Sequence, residues 1–141
     1  MMLIAADHGA LELKDSIAAF LTERGIDFKD CGAYDAASVD YPDYAEKVAG
    51  PVSRGEAERG ILLCGSGQGV CITANKHQGI RAALVWDIPL APLARQHNDA
   101  NVICIPVRFT ELETAIASVQ AFLDTEFEGG RHQLRVDKIA C

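Results

Sequence analysis

Five times along this chain a short, mostly apolar run is followed by a longer stretch with apolar residues at helical spacing, and this alternation limits the fold more than any other feature. The runs "MMLIAA" (1–6), "IDFKDCG" (26–32), "RGILLC" (59–64), "IRAALVW" (80–86) and "NVICIPV" (101–107) read as strands. Residues 10–25, 40–55, 67–78, 88–98 and 110–127 read as helices, and "EGGRHQLRVDKIAC" as a Gly-Gly break with a short last helix. Pro42 falls in the first turn of the second helix, where a missing N–H is harmless, whereas Gly50-Pro51 threatens its second half. Strands apolar on both faces belong in a parallel sheet with helices on either side. The prediction is therefore α/β: one domain over 1–141, a three-layer α/β/α sandwich with a Rossmann-like five-stranded parallel sheet and a C-terminal helical tail. Right-handed crossovers leave two main orders for such a sheet, and for five strands 2-1-3-4-5 fits better. The first and third strands are then neighbours, and ligands bind in the crevice at their C-terminal ends.

Composition narrows the partners. A net charge of −7 argues against nucleic acid and anionic membranes, both of which need a basic face, so any local group of cations becomes informative. The N-terminal apolar run is broken by Asp7 and His8, too early for a signal peptide or a membrane span. Five cysteines, an odd number with no secretion signal, point to reduced thiols and a cytoplasmic protein. None forms a C-x-x-C pair, which argues against structural zinc.

The third strand runs into "GILLCGSGQGVCITANK" (60–76), a cysteine followed by a glycine-rich turn and a helix. Val70 breaks the G-x-G-x-x-G spacing of a dinucleotide loop, and Lys76 lies too far along for a nucleoside-triphosphate loop. What remains is a row of backbone N–H groups at a helix N-terminus, an anion cradle or merely a tight turn. Cys64 sits at its mouth, where a helix N-terminus favours the thiolate and the Ser66 hydroxyl can donate to it. Such a thiolate can act as nucleophile, metal ligand or base; Cys31, Cys71 and Cys104 read as inert core residues.

Asp7 and His8 end the first strand and so face this turn across the crevice. His97 precedes the fifth strand, His132 lies between Arg131 and Arg135, and His77 fits a helix C-terminal cap. Arg131 and Arg135, spaced i, i+4, form either an ion-pair face with Glu126 and Glu128 or an anion clamp. Arg108 follows the fifth strand on the ligand-binding edge. A cradle that with Asn98 holds a developing oxyanion, an acid/base thiol and arginines for a permanent phosphate together describe a small sugar-phosphate enzyme. No His/carboxylate cluster has metal-ligand spacing, which disfavours a metal-dependent hydride shift.

The segments "ADHGALELK" (6–14), "DYPDYA" (40–45), "GILLCGSGQG" (60–69), "ANKHQGIRAAL" (74–84), "ARQHNDANV" (94–102) and "FEGGRHQLRVDKI" (127–139) resemble, in order, those of type B ribose-5-phosphate isomerases and galactose-6-phosphate isomerase subunits. The resemblance implies aldose–ketose isomerisation through a cis-enediolate, with no metal and no cofactor. It makes Cys64 the base, supported by Ser66, and gives the enediolate to the N–H groups of Gly65, Ser66, Gly67 and Gly69 and to Asn98. It gives ring opening to His97 with Asp7, phosphate binding to His8, Arg108, Arg131 and Arg135, and the sugar wall to Tyr41. Val70 stands where some members carry a catalytic glutamate, matching the cysteine subgroup. The family precedent is a homodimer, in some members a tetramer, with shared active sites; His97, Asn98 and Arg108 would then come from the partner together with the C-terminal segment. Pro89, Pro92 and Pro106 depart from the family pattern beside the site and bear on sugar length. Ribose 5-phosphate is the expected substrate, with a tetrose, galactose 6-phosphate or allose 6-phosphate as alternatives and a non-catalytic phosphosugar- or flavin-binding module as the contrasting class.

Overall fold

The computed structural model describes residues 1–139, in which strands and helices alternate as the hydrophobic pattern requires. The order is β1 (Met2–Ala6), α1 (Leu11–Glu23), β2 (Phe28–Asp30), α2 (Tyr41–Ser53), β3 (Arg59–Cys64), α3 (Gln68–Asn75), β4 (Ala82–Leu84), α4 (Leu90–Asn98), β5 (Val102–Pro106), α5 (Leu112–Asp124) and α6 (Arg131–Ile139). The expected tail is thus helical to Ile139; positions 140 and 141 lie outside the described residues. Gly50-Pro51 does not break α2, because Pro51 falls in its last turn. No described helix is long and apolar enough to cross a membrane.

All strand pairs are parallel, but the order is β2-β1-β3-β5-β4, so the expected 2-1-3-4-5 is corrected in its last two strands. The cause lies in the strands themselves. β5 is buried at every position and fits an interior place, whereas the three residues of β4 are all partly exposed and make an edge. Stepping out from β3 to β4 and back to β5 with right-handed crossovers sends α3 and α4 to opposite faces. Accordingly α2 and α3 pack together on one face, and α1, α4 and α5 on the other. Residues alternate between the two cores along β3, with Ile61 and Leu63 meeting Ile17, Leu21, Val119 and Phe122, and Leu62 and Cys64 meeting Val48, Val70 and Ala74.

The exchange matters for the site. β3 is flanked by β1 on one side and β5 on the other, so three strand ends converge on Cys64. Cys64 pairs with Pro106 in register, the Val107 N–H donates to the Cys64 carbonyl at 3.0 Å, and the Arg108 N–H donates to that of Gly65 at 3.0 Å.

Candidate active site

After Cys64 the chain turns through Gly65-Ser66-Gly67 into α3. Gly67, the N-cap, has φ 70°, and a Cβ there would lie 2.9 Å from the Pro106 nitrogen, so backbone conformation and close approach both require glycine. The first N–H groups of α3 have no carbonyl four residues back, so the turn presents free donors at a positive helix end. Ser66 Oγ accepts from the Gln68 N–H at 3.3 Å and keeps its own proton to donate. Among the described residues its expected hydrogen bond to the Cys64 thiol is not formed.

Side chains from neighbouring elements close over this turn. The Tyr41 ring, from the first turn of α2, lies against Gly69. The Arg108 guanidinium lies over Gly65, where an added Cβ would sit 3.0 Å from Nε. On the adjoining strand end, the Asp7 N–H donates to the Leu63 carbonyl at 3.2 Å, and the Asp7 carboxylate accepts from the Gly9 N–H at 3.0 Å. His8 Nδ1 accepts from the Val39 N–H at 3.1 Å, so a neutral His8 carries its proton on Nε2, where it is free to donate. A hollow of about 360 Å³ beside the crevice is lined by Gly9 and Arg108.

The remaining predicted residues lie elsewhere. His97 and Asn98 end α4, which feeds through Asp99 (φ 46°) into the start of β5, at the opposite edge of the sheet. At about 3.3 Å per residue, the length of β5 puts roughly 16 Å between the two edges. Beside α4 runs α6, with Arg131 and Arg135 both exposed and, among the described residues, neither ion-paired to a carboxylate; Glu128 meets His132 instead. Of the two readings left open for this pair, the ion-pair face with Glu126 and Glu128 is not formed among the described residues. Asn98 borders a groove of about 780 Å³ between α3, β4 and α6. One implied grouping is corrected: Arg108 stands with Cys64 of its own chain, not with His97 and Asn98, because β5 lies next to β3.

The sequence reading missed a cluster that forms only in space. Ligand atoms of His97, Glu128 and His132 lie within 4.8 Å of one another, a grouping in space that the expectation about spacing along the sequence did not address. Only the i, i+4 spacing of Glu128 and His132 hinted at it. The His97 and His132 rings are stacked, with centroids 4.4 Å apart and planes 14° apart. Near-parallel rings direct their nitrogen lone pairs side by side rather than at a common point, an arrangement poorly suited to a shared ion. The cysteines also part company. Burial pushes the Cys31 thiol up and the Cys104 thiol far up, while a hydrogen bond with Cys104 pulls Cys71 down. His77 takes its expected place at the end of α3, bonding the Thr73 carbonyl at 3.3 Å and pairing with Glu46 of α2.

Fold and site together define a doubly wound α/β enzyme domain with a thiol beside an anion cradle and exposed arginines at a distance. The chain belongs to the family described as Ribose/Galactose Isomerase, whose family model matches residues 2–139. It is 47% identical over 135 residues to ribose-5-phosphate isomerase B of Escherichia coli, covering 96% of this chain and 91% of that protein. Among solved structures it resembles a ribose 5-phosphate isomerase from Thermotoga maritima (TM-score 0.96, 48% identity, 99% and 96% of the two chains). It also resembles ribose-5-phosphate isomerase B from Mycoplasma genitalium with bound ribulose 5-phosphate (TM-score 0.95, 46% identity, 99% and 93%).

Proposed function

We propose that this protein interconverts ribose 5-phosphate and ribulose 5-phosphate through a cis-enediolate, with Cys64 as the base. The observation that carries the reading is the placement of the Cys64 thiol at a turn of free N–H donors, with Arg108 over Gly65 and Asp7-His8 on the next strand end. The names of the Escherichia coli relative and of the ligand-bound Mycoplasma genitalium structure support this choice of substrate.

His97, assisted by Asp7, moves the anomeric hydroxyl proton to the ring oxygen and so releases the open aldehyde. The Cys64 thiolate then takes the C2 proton, and the Ser66 hydroxyl, whose own proton is still available, turns to donate to it. Charge developing on O1 is met by the N–H groups of Gly65, Ser66, Gly67 and Gly69 and by the Asn98 side chain, donors fixed before the charge appears. Cys64 returns its proton to C1 as a proton passes from O2 to O1, leaving the ketose. His8 through Nε2–H, Arg108, Arg131 and Arg135 hold the phosphate, and Tyr41 walls the sugar. Because these groups occupy opposite edges of one chain, the site closes only across a homodimer, with His97, Asn98, Arg131 and Arg135 supplied by the second copy.

Protein treated with EDTA should form ketose from ribose 5-phosphate. Cys64→Ala should remain folded and lose at least about 10²–10⁴ in kcat, the usual contribution of a general base. A fully active alanine variant would remove Cys64 from the mechanism. No wild-type turnover across tetrose, pentose and hexose phosphates would remove the isomerase reading.

A further inference from the structure

We infer that His132, braced by Glu128, is the positioning residue that holds the His97 imidazole in the orientation needed for ring opening. This rests on the reading above that His97 moves the ring-opening proton. His97 stands one residue before the end of α4, and among the described residues no hydrogen bond holds its ring. Rotation about the bond to an imidazole is broad and roughly two-fold, so the backbone alone does not decide where its nitrogens point. The His132 stack fixes the ring plane, because a ring face 4.4 Å away and 14° from parallel leaves His97 one plane, and within it only two flip-related settings of its nitrogens.

That face is itself well anchored. The His132 side chain is only 13% exposed, and Nε2 lies 3.3 Å from Glu128 Oε1. The His132 N–H donates to the Gly129 carbonyl at 3.0 Å, and the Glu128 N–H donates to the Gln96 carbonyl at 3.2 Å. Gln96 precedes His97 on α4, so the brace is tied to the same helical turn that it orients. Arg131 and Arg135 project from α6 on either side of His132 in sequence and carry the phosphate role, which separates binding from orientation.

The test separates ring opening from enediolate chemistry. Ribulose 5-phosphate cannot cyclise through its phosphorylated C5 oxygen, so exchange of its C1 hydrogen with D2O requires the thiol but no ring opening. His132→Ala should lower kcat on ribose 5-phosphate by about 10–100-fold, the scale expected for a misplaced catalytic group. KM should change little, and C1 exchange should stay near the wild-type rate. His132→Phe, which keeps a stacking face, should recover most of the turnover, and His97→Asn should show the same split as His132→Ala. Equal loss of turnover and exchange in His132→Ala, unchanged turnover, or no recovery with phenylalanine would overturn the inference while wild-type activity leaves the isomerase reading intact. A wild type that neither isomerises nor exchanges would instead bring down that reading, and this one with it.

Discussion

Lys14 lies on the stripe of α1 that carries Ile17 and Leu21 into the core, and its side chain is 2% exposed. Its ammonium meets the Asp30 carboxylate at 2.5 Å, and the other carboxylate oxygen of Asp30 accepts from the Gly32 N–H at 2.9 Å. Asp30 thus bonds a buried cation, which the exposed Asp15 carboxylate also approaches at 3.5 Å, and fixes the chain leaving β2. Removing one partner of a buried pair leaves the other charge desolvated. Asp30 is 29% exposed, so water softens that penalty, and Asp30→Ala should cost about 2–3 kcal/mol, below the range for a fully buried pair. A lower denaturant midpoint would register the loss, and adding Lys14→Met should restore most of it; additive losses would show the two residues to be uncoupled. The pairing was not legible from the sequence, although Lys14 in phase with Ile17 and Leu21 was a usable sign. The cradle at Cys64 was legible because a glycine-rich strand-to-helix turn is local, its geometry set by residues adjacent in the chain.

Among the elements, the end of α4 depends most on a single side chain. Arg95 is 6% exposed and donates to the Asp99 carboxylate at 2.8 Å, to the Ala100 carbonyl at 2.7 Å and to the Thr125 carbonyl at 3.1 Å. It therefore joins the last turn of α4 to the link that leads into α6. Arg95→Met keeps the apolar stem but strands these acceptors, at a cost of about 2–3 kcal/mol. The loss should be local as well as global, with amide-exchange protection over 126–139 falling more than protection in β3. A uniform loss would mean that Arg95 does not act as this clamp. The reversal of β4 and β5 belongs to the same scale. Each strand was recognisable from its own residues, but neighbour relations depend on how evenly a strand is buried on both faces. "VICIP" against "AAL" carries that information only weakly. The consequence reached the site, since Arg108 joins Cys64 only because β5 lies beside β3.

At the scale of the whole molecule, parallel topology separates the chemistry into two halves. Strand ends and the loops after them lie at one edge of the sheet, while the ends of the returning helices lie at the other. Residues after β1, β3 and β5 therefore cannot meet residues that close α4 or open α6 within the same copy. The sequence brings these candidate groups to notice, yet spacing along a chain does not tell whether one copy or two would supply them. On the proposed reading a two-fold pair of copies would resolve the division, each copy offering its Cys64 edge to its partner's His97 edge. Complementation distinguishes this from a site closed within one chain. Cys64→Ala and His97→Asn should each fall far below wild-type turnover alone. Unfolded together in equal amounts and refolded, half of the dimers should be mixed, and each mixed dimer holds one doubly damaged site and one intact site. Activity should then recover to about a quarter of the wild-type value, the statistical share for a two-fold dimer. No recovery, with mixed dimers demonstrated by tagged copies, would place Cys64 and His97 in separate reactions or return both to a single chain.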